Sequence, residues 1–157
     1  MTDKGTQFRG DDPGVRLRMK SEERRISSQH ERLDGLCREL YARLDKYGAA
    51  PVVEEFLLFV AALDAHMKIE EEVYFPALHG LRGDTAAELD ARVSEHADLR
   101  EQAEEVRQLL DANDGDAARM TLESLAREIE KHEQAEEDLI ARITEGPVAD
   151  FGHSNFD

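Results

Sequence analysis

Four segments of the chain carry apolar residues at alternating steps of three and four, and this spacing constrains the fold more than any other feature. The steps place the apolar side chains on one stripe of an α-helix. Strong helix breakers separate the segments: Gly48, Gly83 and the run from Asn113 to Gly115. Since each joint is short, consecutive helices must turn back on one another and pack antiparallel.

The first two predicted helices form a hairpin around Gly48. The first helix should begin near Lys20 and end near Tyr47. In the second helix the apolar stripe continues as far as Val73. Pro76 does not fit an undisturbed helix interior, so this helix should kink or end there.

The last two predicted helices form a second hairpin. The third should open at Thr85, which can form a capping box with Glu88 three residues later. The fourth should run from about Asp116 to Thr144 and end at Gly146 and Pro147. The sequence therefore predicts an all-α, up-down-up-down antiparallel four-helix bundle over residues 19–146. A flexible arm (1–18) and an irregular tail (147–157) are expected on either side.

Charge and cysteine content exclude several classes of protein. The net charge of −16 argues against binding to nucleic acid or to an anionic membrane surface. Cys37 is the single cysteine, so no internal disulfide forms. The first 14 residues contain no apolar segment of the secretory type, and the longest apolar run, Phe56 to Leu63, is too short to span a membrane. We expect a cytoplasmic protein.

Polar residues interrupt all four apolar stripes. When each stripe is continued in steps of three and four, it passes through at least one histidine. Two of the stripes also pass through a glutamate four residues after the histidine. The residues are His30 in the first helix, His66 and Glu70 in the second, His96 in the third, and His132 and Glu136 in the fourth.

These six side chains should meet in one layer, or in two adjacent turns, of the bundle. In an antiparallel hairpin, residues equally far from the turn are level with each other. The midpoint of His30 and His66 is Gly48, and the midpoint of Glu70 and His96 is Gly83. The midpoint of His96 and His132 falls inside the turn from Asn113 to Gly115.

A buried layer of this kind needs a cation. Even a neutral polar group buried without a partner costs roughly 2–7 kcal/mol. Neutral imidazoles do not neutralise two carboxylates, but one or two metal ions do. Imidazole and carboxylate ligands without a thiolate suit Fe, Mn or Zn.

The ordered motifs resemble the hemerythrin-like (HHE cation-binding) family. The resemblance rests on His30, HMKIEEEVYFPAL (66–78), EHADLR (95–100) and HEQAEEDL (132–139), and it covers roughly residues 20–145. It implies two Fe ions with an oxo or hydroxo bridge, with Mn or Zn as alternatives. It also implies that the four histidines are terminal ligands and that Glu70 and Glu136 are bridges.

The sequence departs from the oxygen-carrying members in two ways. Arg100 stands where those proteins have a fifth histidine, and Glu136 stands one position before their last carboxylate, with Glu137 as a substitute at that position. The pattern is therefore similar to the branch with four histidines and two glutamates, and reversible oxygen carriage is not expected. Arg100 and Tyr74 could lie behind the ligands, and direct ligation by Tyr74 stays an alternative. Glu71 and Glu72 are expected to be surface charges.

The resemblance implies a protein that binds or reacts with O2, peroxide or NO in oxidative or nitrosative stress or in iron handling. Four His and two bridging Glu leave open coordination positions for such small ligands. A second hypothesis is a sensor or interaction module, without turnover, that reports the state of the metal. A third is a purely structural acidic bundle.

Overall fold

The structure is a computed structural model that describes the backbone of residues 13–154 and the side chains of residue 14 and of residues 17–145. A π-helical segment, Glu70–Tyr74, joins two of the α-helices, and short 3-10 helices occupy two joints, at Ala50–Val52 and Gly83–Thr85. The α-helices are α1 (Pro13–Tyr47), α2 (Val53–Ile69), α3 (Phe75–Leu81), α4 (Ala86–Asp111) and α5 (Gly115–Ser154).

The helices form a bundle of four arms. Helix α2, the π segment and α3 follow one another without a break and make up the second arm. Helix α1 packs against α2 and α5, and α4 packs against the same two helices. Short joints make consecutive arms antiparallel. The predicted all-α, antiparallel four-helix bundle is therefore confirmed.

Two of the predicted breakers end helices through a left-handed backbone. Gly48 follows α1 with φ of +82°, a conformation that glycine adopts at little cost. Its N–H donates to the carbonyl oxygen of Leu44 at 2.9 Å, which closes the last turn of the helix. Asn113 adopts φ of 58° in the joint between α4 and α5.

The π segment shifts the register of the second arm. The N–H of Phe75 donates to the carbonyl oxygen of Glu70, five residues back instead of four. The extra residue in this turn rotates the side chains that follow it about the helix axis. Val73, which we predicted on the apolar stripe, is therefore 56% exposed, whereas Tyr74 is only 7% exposed. The prediction for Val73 was wrong. Pro76 lies in the first turn of α3, where its missing N–H is tolerated.

The first and last helices are longer than predicted. Helix α1 begins at Pro13, so residues 13–18 are helical, and residues 1–12 of the predicted arm lie outside the described residues. Proline suits this position because a first-turn residue needs no N–H partner. Helix α5 continues through Pro147 to Ser154, since one lost hydrogen bond bends a helix without having to end it. The predicted tail is thus helical over 147–154.

The predicted capping box at the start of α4 is not formed. Thr85 precedes α4 without a side-chain cap. Its Oγ1 instead donates to the carbonyl oxygen of Arg82 at 2.6 Å, because the hydroxyl closes the preceding 3-10 turn.

Two apolar clusters fill the bundle, one on each side of a polar layer. The first cluster includes Leu33, Leu63 and Ile129. The second includes Ile26 and Leu139, with Tyr74 and Phe75 from the second arm. Along each arm the predicted polar residues lie between members of the two clusters. Within residues 13–154, no helix is both long and apolar enough to cross a membrane.

Candidate metal centre

All six polar side chains predicted from the sequence meet in this layer. The two carboxylates and His96 have no exposed surface, and the other three histidines are at most 8% exposed. The apolar clusters close the layer from both sides, so water is largely kept out. The residues are His30, His66, Glu70, His96, His132 and Glu136.

The layer divides into two groups that share both carboxylates. The His30–His66 group contains these two histidines with Glu70 and Glu136, and the His96–His132 group contains the other two histidines with the same glutamates. In each group, one ligand atom from every residue lies within 4.8 Å of the others. The histidine rings of each group are also close, with centroids 4.9 Å apart in the first and 4.7 Å apart in the second.

Each carboxylate presents one oxygen to each group. Glu70 places Oε2 3.1 Å from Nε2 of His66 and Oε1 3.1 Å from Nε2 of His96. Glu136 places Oε1 3.0 Å from Nε2 of His30 and Oε2 2.9 Å from Nε2 of His132. This is the arrangement that a carboxylate needs to connect two cations.

Most of these atoms have no hydrogen-bond partner. Among the described residues, no hydrogen bond satisfies either carboxylate oxygen of Glu70, Oε1 of Glu136, or Nε2 of His30, His66 and His132. Their contacts are short but poorly aligned for hydrogen bonding, because the atoms converge on two common points. Polar atoms this deeply buried are costly without partners. The donor set therefore fits two cations, one in each group.

A second set of side chains holds the histidines from behind. In every case Nδ1 donates to a side-chain oxygen of another arm, which leaves the lone pair of the neutral ring on Nε2, toward the centre. The pairs, donor first, are His30 with Glu137 at 2.8 Å, His66 with Gln29 at 2.6 Å, His96 with Glu71 at 2.6 Å, and His132 with Glu95 at 2.6 Å.

These contacts correct the prediction for Glu71. We expected a surface charge, but Oε2 of Glu71 accepts from His96 and, at 3.3 Å, from Nη1 of Arg100. Arg100 also donates from Nε to Asp64 at 2.9 Å. Arg100 therefore reaches the layer through Glu71, behind His96.

Glu137 and Tyr74, the two alternatives named from the sequence, occupy different places around the layer. Glu136 belongs to both groups, whereas Glu137 lies behind His30. Tyr74 is buried in the second apolar cluster, close to Glu22.

An aromatic ring that the sequence did not single out also borders the layer. Phe75, the first residue of α3, stacks on His96 with ring centroids 5.8 Å apart. The register shift of the π segment places this side chain in the core, where it is 4% exposed. Phe75 therefore forms part of the apolar wall of the candidate metal centre.

The pKa values of the buried groups show that the layer favours positive charge. Burial lowers the pKa of His30 and His96, but Glu136 and Glu70 outweigh it and raise the pKa to about 11 for His30 and about 10 for His96. Burial opposes ionisation of Glu136, but His132 and His30 hold its pKa well below the usual range. Without a metal, the carboxylates thus draw protons onto the histidines; bound cations would replace those protons.

One buried carboxyl was missed by the sequence reasoning. Glu133 is 7% exposed, and burial raises its pKa to about 9. Asp34 lies close to it, and burial raises the pKa of that carboxyl too. Glu133 lies four residues after Ile129 and three before Glu136, so it also fits steps of three and four, but the stripe was followed through His132 instead.

Comparison with known proteins identifies one family. The family model described as the hemerythrin HHE cation binding domain matches residues 22–144, which is most of the chain. No curated protein matches the chain, and neither does any solved structure.

Proposed function

The chain belongs to the hemerythrin HHE cation-binding domain family, and we propose that it is a di-iron protein that reacts with O2, peroxide or NO. Each group would hold one iron ion, and Glu70 and Glu136 would offer one carboxylate oxygen to each. His30 and His66 would hold one ion, and His96 and His132 would hold the other. We further propose a cytoplasmic protein that acts in oxidative or nitrosative stress or in iron handling.

One observation carries the proposal: both glutamates offer one oxygen to each group. A site for a single ion would need only one of the groups and would leave the other unsatisfied in the core. Imidazole and carboxylate ligands suit iron, and the four histidines with the two glutamates leave coordination positions open for a small molecule. Iron in this setting supplies electrons and an open position for a diatomic ligand or peroxide.

The chain's own residues set the conditions for that chemistry. The Nδ1 hydrogen bonds fix the ring tautomers, so all four Nε2 atoms face the centre. The apolar clusters border the layer on both sides and keep bulk water from it. Phe75 covers His96 by stacking on its ring, which limits that ring to one orientation.

Iron content tests the metal assignment. Anaerobic loading with Fe2+ should give two irons per chain and, after oxidation, charge-transfer absorption. His66→Ala should reduce the bound iron, whereas His79→Ala, at an exposed position of α3, should not. Iron well below one per chain, unchanged by His66→Ala, would contradict the proposal.

Reactivity tests the second half of the proposal. The reduced protein is mixed with O2, peroxide or NO in a stopped-flow spectrometer, and product is measured over repeated additions. Consumption of more than one equivalent per centre supports a reactive protein. A stable, reversible spectrum without turnover would favour a sensor of the metal state instead.

A further inference from the structure

The side chains behind the four histidines form a ring around the bundle. Each comes from a residue next to a proposed ligand and supports the histidine of the next arm. Gln29, beside His30, accepts from His66, and Glu71, beside Glu70, accepts from His96. The ring continues with Glu95, beside His96, which accepts from His132, and closes with Glu137, beside Glu136, which accepts from His30.

One member of the ring of supporting side chains differs in chemistry from the other three. Three of its members are glutamates, and Gln29 is the exception. The hydrogen bond of Gln29 to His66 is as short as that of Glu71 to His96, since both measure 2.6 Å. The two contacts therefore differ in charge and not in length. An imidazole is a more basic ligand when a carboxylate accepts its Nδ1 hydrogen bond than when a neutral amide does.

Arginines anchor the supports of the His96–His132 group. Glu95 accepts from Arg92 at 2.9 Å, and Glu71 accepts from Arg100 at 3.3 Å. Arg92 binds the Glu95 oxygen that does not contact His132, whereas Arg100 shares Oε2 of Glu71 with His96. Both guanidinium groups keep some exposure, 18% for Arg92 and 35% for Arg100. They hold the carboxylates in place, while the carboxylates remain in direct contact with the imidazoles.

Access from the surface does not distinguish the two groups. His66 lines a cavity of about 250 Å³ between α1 and α2. His132 lines a cavity of about 230 Å³ between α4 and α5. One histidine of each group thus borders a cavity of similar size, and the difference between the groups lies in the support of the histidines.

We propose that Gln29 makes the two metal positions unequal. This inference rests on the proposed two-metal centre. The His96–His132 group, with a carboxylate behind both rings, binds the first ion more tightly. The His30–His66 group, with an amide behind His66, binds the second ion more weakly and is the exchangeable position. Gln29 is a positioning residue, since it acts on the metal through His66.

Stepwise titration of the metal-free protein with Co2+ tests this inference. Calorimetry and the visible bands of bound Co2+ should resolve two steps in the wild type, separated by at least about tenfold in affinity. Changing the partner of a ligating histidine alters metal affinity by about 10–100-fold. Gln29→Glu should therefore strengthen the weaker step by that order and leave the tighter step unchanged, and Gln29→Met should weaken the weaker step.

Two further variants locate the steps. Ser28→Glu adds the same charge at an exposed position one residue away and should change neither step. Glu71→Gln places an amide behind His96 and should weaken the tighter step. Circular dichroism confirms that each variant is folded.

The outcomes separate this inference from the proposed function. Binding of fewer than two Co2+ per chain would overturn both. Two ions bound with equal affinity, and no response to Gln29→Glu, would overturn the inference and leave the two-metal centre intact. An equal response to Ser28→Glu would also overturn it, because general charge would then explain the effect.

Discussion

Loading the metal-free protein with Fe2+ at pH 7.5 should release at least two protons per chain. Burial disfavours the charged form of both histidines, but Glu136 and Glu70 raise the pKa to about 11 for His30 and about 10 for His96. Both rings are therefore protonated at pH 7.5 when no metal is bound. A metal ion binds the deprotonated nitrogen, so each ring must lose its proton on loading.

The size of the pH effect on metal affinity follows from the number of protons that metal binding releases. Since the raised pKa values lie above the working range, metal and protons compete throughout it, and affinity rises with pH. Each proton released changes the overall binding constant about tenfold per pH unit, or about 1.4 kcal/mol. With two protons, the product of the two binding constants should rise about 100-fold between pH 6.5 and 7.5.

Two measurements check this prediction. A pH indicator in weakly buffered solution counts the protons released, and calorimetry in two buffers of different ionisation enthalpy gives an independent count. His79→Ala, at an exposed position outside the layer, should release the same number. Release of less than one proton per chain, or an affinity that does not change with pH, would refute the electrostatic reasoning.

Further predictions concern a thiol, the histidine supports, the π segment and metal removal. Burial raises the pKa of the Cys37 thiol to about 11, so a disulfide reagent at pH 8 should label it slowly until urea is added. Glu137→Ala should lower metal affinity about 10–100-fold in titrations, and Asp138→Ala, on an exposed side chain, should not. Val73→Ser should cost under about 0.5 kcal/mol in urea unfolding and Tyr74→Ser several times more; equal costs would contradict the register shift. Chelation of the metal should lower the melting temperature, because a free metal concentration of 100 times the Kd adds about 2.7 kcal/mol to the free energy of unfolding. An unchanged melting temperature would count against a metal in the core.

The bundle could be predicted because burial leaves a direct trace in the sequence. Apolar steps of three and four record the buried face of each helix, and Gly48 and Asn113 record a left-handed backbone. The six residues of the layer were visible for the same reason. A histidine or glutamate at a core position, such as His96 or Glu70, is an exception that needs a partner.

The register of the second arm could not be predicted. The π segment adds one residue to a turn, and the apolar pattern does not mark the addition, since both Val73 and Tyr74 suit a core. Pro76 indicated a disturbance but not its form. The outer limit of α5 was missed because Gly146 and Pro147 were interpreted as its end, whereas a proline can be carried within a helix. The start of α1 was missed because residues 13–18 were assigned to a flexible arm, whereas Pro13 begins the helix.

The supports of the histidines could not be selected from the sequence either. Glu71, Glu95 and Glu137 each lie beside a residue of the layer, but the chain contains 36 acidic residues, so such neighbours are common. Only the packing of the arms shows which carboxylates face an imidazole. Gln29 stands out only once the other three members of the ring are known.

Anomalous scattering at the iron edge, from crystals of the iron-loaded protein, tests the central claim most directly. Two separate peaks should appear in the polar layer, one bounded by His30 and His66 and the other by His96 and His132, with Glu70 and Glu136 contacting both. A single peak, or peaks outside this layer, would contradict the proposed di-iron centre.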